Sequence, residues 1–178
     1  TFNTLSEGTY SNCTITVTNN SGNSAILSIS SFVIDTTAPS VSSFTLDDTV
    51  LKIGDNPTVT LVFSEAVTSF STDNITTSTV GGTLGTMSTS DNITWTGTYT
   101  PPSNTEATNK YLVLLVGYTD LAGNPGPVVL ISPIAGVSNT FLVDTIAPTV
   151  STFTLSDTAL KSGDNATVSL VFSEAVAS

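Results

Sequence analysis

The stretch VIDTTAPSV at residues 33–41 returns as LVDTIAPTV at residues 142–150. Asp35 and Asp144 are 109 residues apart, and aligned on them Phe32–Ser69 and Phe141–Ser178 are identical at 27 of 38 positions. A repeat of that length is a domain, not a short solenoid turn, so the chain reads as part of a tandem array. The opening residues fit the same frame. TYSNCTITVTNNSGN (9–23) aligns with KYLVLLVGYTDLAGN (110–124), pairing Tyr10 with Tyr111 and Asn23 with Asn124. The expected organisation is therefore the end of one unit at residues 1–34, a whole unit at 35–143, and the head of a third at 144–178. One departure stands out. The segment from Gly123 to Asp144 is eight residues longer than that from Gly22 to Asp35 and carries the apolar stretch VVLISPIAG with Pro127 and Pro133.

Within the whole unit the apolar residues recur every second position. Val59, Leu61 and Phe63 share one face of TVTLVFS, with Thr58, Thr60 and Ser64 opposite; Ile93, Trp95 and Tyr99 share a face of NITWTGTY with Gly97. Leu112, Leu114, Val116 and Tyr118 alternate in the same way before TDLAGN. Period two without a sustained 3.6-residue stripe predicts an all-β chain. About seven short strands in a unit of this length, with two apolar inner faces, predict an immunoglobulin-like antiparallel β-sandwich. GTY at residues 8–10 reads as the tyrosine corner that opens strand F of such a sandwich. The single cysteine, Cys13, alternates with Ile15 and Val17 and reads as a small core-facing hydrophobe, and Trp95 likewise alternates into the core.

Composition narrows the chemistry. The net charge is −11, with three lysines and no histidine. No basic patch for a phosphate backbone can be assembled, so nucleic acid is not an expected partner. Without histidine there is no imidazole base and no ordinary catalytic zinc site. No apolar run reaches the ~18 residues of a membrane span. Oxygen-liganded hard cations are the metal class that fourteen carboxylates suit. One cysteine permits no disulfide within the chain, which fits a bacterial surface protein better than a disulfide-built secreted scaffold.

DTTAPSVSSFTLDD, LKIGDNPTVTLVFSEAV and GYTDLAGN, in that order, resemble the bacterial Ig-like repeats that form stalks of giant biofilm-associated and type I-secreted adhesins. The resemblance covers essentially the whole chain. It implies an extracellular location on the bacterial cell surface, a spacer role without catalysis, neighbouring Ig-like domains of the same polypeptide as partners, and calcium as a stiffening cofactor.

The topology of such a sandwich gives the repeated Asp a chemical reading. Asp35 precedes the first strand, Glu65 follows the second, and Asp120 ends strand F. All three lie at the same end of the sandwich, at the junction with the preceding domain. Like charges brought together are unfavourable unless a cation neutralises them. Calcium accepts six to eight oxygens, and Asn124 with turn carbonyls could complete a cage. Asp144 and Glu174 are the equivalent residues at the next junction. A weaker candidate lies at the opposite end, where Asp47, Asp48 and Asp55, echoed by Asp157 and Asp164, could equally be ordinary turn residues. Pro39 offers a purely conformational reading of the linker, since it fixes φ and holds Ala38 extended.

Two other functions compete with the stalk. A self-assembling filament or sheath could form if partial domains were completed by strands from other copies of the chain. A carbohydrate-binding module could use VVLISPIAG and the GGTLG turn at residues 81–85 to shape a site. GGTLG lacks the lysine and following helix of a phosphate loop and reads as a turn or bulge.

Overall fold

The computed structural model describes residues 4–127 and 137–177. VVLISPIAG, residues 128–136, lies outside the described residues, and so does its expected role in a binding site. The first segment contains β1 (Gly8–Tyr10), β2 (Thr14–Thr18), β3 (Ser24–Ser28) and β4 (Phe32–Ile34), paired antiparallel as β1 with β4 and β2 with β3. The Tyr10 hydroxyl donates to the Ser6 carbonyl at 2.8 Å, which closes the expected tyrosine corner. Cys13 is free and half-buried.

The central unit is a sandwich built in two layers. One layer holds β5 (Val41–Leu46), β7 (Thr58–Phe63), β10 (Thr83–Leu84), β11 (Ser88–Thr89) and β12 (Thr94–Thr100), ordered β10–β12–β7–β5 with β11 also paired to β12. The other holds β6 (Val50–Leu51), β8 (Val67–Thr68), β9 (Ile75–Thr76), β13 (Glu106–Lys110), β14 (Val113–Leu114), β15 (Thr119–Asp120) and β16 (Phe141–Asp144). In it β16 lies between antiparallel β13 and parallel β6, while β14 pairs with β9 and β15 with β8. Two further strands, β17 (Val150–Leu155) and β18 (Val168–Phe172), form a hairpin that repeats the β5–β7 pairing.

The alternation read from sequence places the core. Val59, Leu61 and Phe63 are fully buried, as are Tyr99, Leu112, Leu114, Tyr118 and Val143. Trp95 packs on this core, edge-on to Phe70 with ring centroids 4.8 Å apart. Val116 breaks the expected pattern and is exposed. The reason is local: Gly117 adopts φ of +116°, and Asn74 binds both the Leu115 amide and the Val116 carbonyl, so the chain leaves the sheet there before Tyr118 returns to the core. The GGTLG stretch is a turn with Gly81 and Gly82 at φ of +83° and +76°. A Cβ on Gly82 would sit 2.5 Å from the Thr100 carbonyl oxygen, so only glycine fits.

Candidate metal centre

The cluster is assembled by three connections at one end of the sandwich. Asp35 follows β4 and turns the linker, its Oδ1 accepting the Thr37 amide at 3.0 Å. Glu65 sits in the turn between β7 and β8. That turn is tied to the linker by Ser64 N to Ser40 O at 2.8 Å and Ser40 N to Ser64 Oγ at 2.9 Å. Asp120 ends β15, and its Oδ1 accepts the amides of Gly123 and Asn124 at 2.7 and 2.8 Å. Pro39, inside the linker, is fully buried.

These constraints bring one carboxylate oxygen from each of Asp35, Glu65 and Asp120 to within 4.8 Å of one another. Asp120 is 1% exposed, while the other two are half-buried. Burial opposes the charge on Asp120, but hydrogen bonds from the Asn124 side chain and from the amides of Asn124, Gly123 and Ala122 outweigh it and hold its carboxyl below the usual value. Glu65 has no such donors among the described residues. Desolvation, then the charges of Asp35, Asp120 and Glu7, push its carboxyl above the usual range. No protein cation offsets them, since the one salt bridge among the described residues joins Lys52 to Asp55. The donor set is all oxygen and anionic, which fits a hard divalent cation and not a soft one.

Asn124 is held through its amide nitrogen. Its Nδ2 donates to Asp120 Oδ2 at 2.7 Å, to the Asp35 carbonyl at 3.1 Å and to the Thr37 carbonyl at 3.3 Å. Three acceptors surround that position, so the amide nitrogen faces it, and Asn124 braces the turn that follows β15, the F–G turn of the sandwich, against the linker.

At the next junction Asp144 Oδ1 accepts the Ile146 amide, and Ser173 and Thr149 repeat the Ser64–Ser40 clamp. Glu174 Oε1 is buried and has no hydrogen-bond partner among the described residues, an acceptor-only atom without a donor. Among the described residues no third carboxylate gathers with Asp144 and Glu174.

The acidic residues at the opposite end do not converge among the described residues. Asp47 Oδ1 accepts the Thr58 amide, Asp48 Oδ1 the Val50 amide, and Asp55 both the amide and the ammonium of Lys52. Asp157 and Asp164 accept the amides of Ala159 and Lys161. Where the repeat replaces Asp47 by Ser156, the serine Oγ accepts the equivalent amide of Thr167 at 2.9 Å. A neutral hydroxyl serves there, so the position needs an acceptor and not a charge.

Two carboxylates escaped the sequence comparison. Glu7 directly precedes Gly8, whose strand partner is Ile34, and so lies beside Asp35. Glu106 pairs directly with Asp144. Aligning Tyr10 with Tyr111 sets Glu7 against Thr108, two residues from Glu106: one comes from the bulge between Ala107 and Lys110, with Asn109 at φ of +53°, and one because Lys110, not Tyr111, pairs with Phe141 as Tyr10 pairs with Phe32. An acidic residue across from the linker Asp was the available signal.

A family model described as the bacterial Ig-like domain matches residues 35–138. The chain belongs to this family. No curated protein and no solved structure matches it. The match begins at Asp35, the linker residue of the cluster. Bacterial Ig-like domains are typically extracellular or surface segments and generally non-enzymatic. Among the described residues no helix is long and apolar enough to cross a membrane.

Proposed function

We propose that this bacterial Ig-like array is a structural extension segment of a surface adhesin whose inter-domain joints are stiffened by calcium. The observation that carries this reading is the convergence of Asp35, Glu65 and Asp120 at the end of the sandwich where the preceding segment joins it. Each comes from a different connection, so a cation held by all three would fix the linker, the β7–β8 turn and the F–G turn relative to one another. Bound there, the ion supplies positive charge and no chemistry beyond it. The unpartnered Glu174 Oε1 supports the same role for Asp144 and Glu174 at the following joint. Residues 1–34 and 144–178 are on this reading parts of neighbouring domains.

The test is a thermal melt of the full chain in EDTA with calcium or magnesium added back. A ligand of the native state raises the midpoint in a concentration-dependent way. The expected result is a calcium-specific rise that Asp35→Asn together with Asp120→Asn removes; no rise would reject the calcium joint.

Filament assembly has one observation in its favour, the exposed apolar faces of β2–β3 and β17–β18, including Ile26 and Phe153 at 70% exposure each. Sedimentation that stays monomeric at high protein concentration would reject it. A carbohydrate site finds less support: the groove beside GGTLG, about 270 Å³, is lined by Thr58, Gly85, Thr86, Ser88, Thr96, Gly97 and Thr98, with no ring for a sugar to stack on.

A further inference from the structure

The two linkers in this chain, DTTAP at 35–39 and DTIAP at 144–148, differ at one position, Thr37 against Ile146. Their backbones are set alike. Asp35 caps the Thr37 amide and Asp144 caps the Ile146 amide, at 3.0 and 3.2 Å. Each linker Asp also has a glutamate beside it on the neighbouring strand, Glu7 in the first joint and Glu106 in the second. The side-chain bonding diverges. The Thr37 hydroxyl reaches both carboxylate oxygens of Glu7, at 3.0 and 2.9 Å, and the Thr36 hydroxyl reaches Oε2 at 2.9 Å. In the second joint Ile146 has no hydroxyl to offer. Thr145, the counterpart of Thr36, is buried and donates to the carbonyls of Pro102 and Thr105, at 2.8 and 3.3 Å.

We propose that Glu7 and Thr37 form a latch that closes the 35–39 joint without any cation, and that the residue two places after the linker Asp decides which joints of the array carry it. Threonine there gives a joint closed by hydrogen bonds across two segments. Isoleucine gives one that depends on the linker backbone and on whatever the carboxylates bind. An array written with both residues has joints that respond differently when divalent ions are withdrawn. The carboxylate of Glu7 is correspondingly held below its usual value, the Thr36 and Thr37 hydroxyls being the first causes. The latch is independent of the calcium reading, because its donors and acceptor are all protein groups.

The Asp35 cap on the Thr37 amide forms with or without the latch, as the Asp144 cap on Ile146 shows, but a latched Thr37 opens from it less often, so exchange at this amide reads the latch. Amide hydrogen exchange at Thr37 would be measured by NMR on the full chain in EDTA, after correction for intrinsic rates. Thr37→Val and Glu7→Ala are each expected to speed exchange about five-fold, the effect of one ordinary hydrogen-bonded interaction. Thr37→Ser, which keeps the hydroxyl, should leave it unchanged, and the double variant Glu7→Ala with Thr37→Val should exchange no faster than Glu7→Ala alone, which already loses the Thr36 and Thr37 bonds together. Unchanged exchange in Thr37→Val, or additive acceleration in the double variant, would overturn the latch. A calcium-induced rise in melting midpoint is read separately, so either idea can fail while the other stands.

Discussion

Phe44 and Phe153 occupy the same place in the repeated FTL motif and have the same register partner, Leu61 for one and Leu170 for the other. They differ in surroundings: Phe44 is 5% exposed within the core, and Phe153 is 70% exposed. Truncation of a buried Phe to Ala loses its transfer free energy and leaves a cavity, about 3–5 kcal/mol together. Against a total stability of roughly 5–15 kcal/mol for a domain, that is a large fraction. Phe153 buries under a third of its surface and leaves no closed cavity, so its truncation should lose under about 1 kcal/mol. Urea unfolding followed by Trp95 fluorescence, which reports from beside Phe70 in the central unit, gives the comparison. The expected result is a large fall in midpoint for Phe44→Ala and almost none for Phe153→Ala. A loss below about 1 kcal/mol for Phe44→Ala would refute the packing described for the central core. An equal loss for Phe153→Ala would mean that its face is covered in solution.

The carboxylates predict an unusual acid response. In EDTA, Glu65 has a folded-state pKa above its usual 4.5, so the native state takes up its proton first and gains stability as pH falls from neutral toward that range. Asp120, held below its usual 3.8, contributes stability present above that value and lost as pH falls through its folded pKa. Melts against pH should therefore rise before they fall, and Glu65→Gln should abolish the rise. At the alkaline end, burial pushes Tyr99 up to about 12 and Tyr118 also upward. Their unfolded phenols lose protons first, so stability should decline as pH rises above about 10, and absorbance titration should show two tyrosines ionising late. Finally, Asp47→Ser should be nearly neutral because Ser156 already performs the same bond in the repeat, whereas Asp47→Ala should lose about 1 kcal/mol in urea unfolding.

The parts legible in the sequence were those governed by simple periodicity and connectivity. Alternation at Val59, Leu61 and Phe63 gave the inner face, because a strand's side chains have only two directions to point. The convergence of Asp35, Glu65 and Asp120 followed from which loops share an end of the sandwich, and needed no knowledge of distances. What failed depended on irregular backbone. Gly117 released Val116 from the core, and the bulge before Lys110, together with Lys110 taking the register place of Tyr10, shifted Glu106 out of alignment with Glu7. Residue type marks Asn124 as an oxygen ligand but not how it is held; the orientation of an amide is set by its neighbours, and here three acceptors take its nitrogen. Asp47 and Asp48 were ambiguous until their bonds to backbone amides could be seen.

The parallel pairing of β6 with β16 has a mechanical consequence. Leu142 and Val143 lie opposite Val50 and Leu51, and the Leu142 amide reaches the Thr49 carbonyl at 2.9 Å. The Asp35 linker leads through β5 to β6, and β16 runs straight into the Asp144 linker. Tension carried along the polypeptide would load β5 on β7 and then β6 from one end and β16 from the other, drawing β6 and β16 past each other in opposite directions. Parallel strands loaded this way must give up their bonds together, in shear, where an antiparallel hairpin drawn from its open end would surrender them one at a time. β13 grips the other edge of β16 through Glu106 and Ala107, which adds to the bonds that must break at once. On the proposed reading as an extension segment, the unit is thus tied in shear along the line on which it would be pulled.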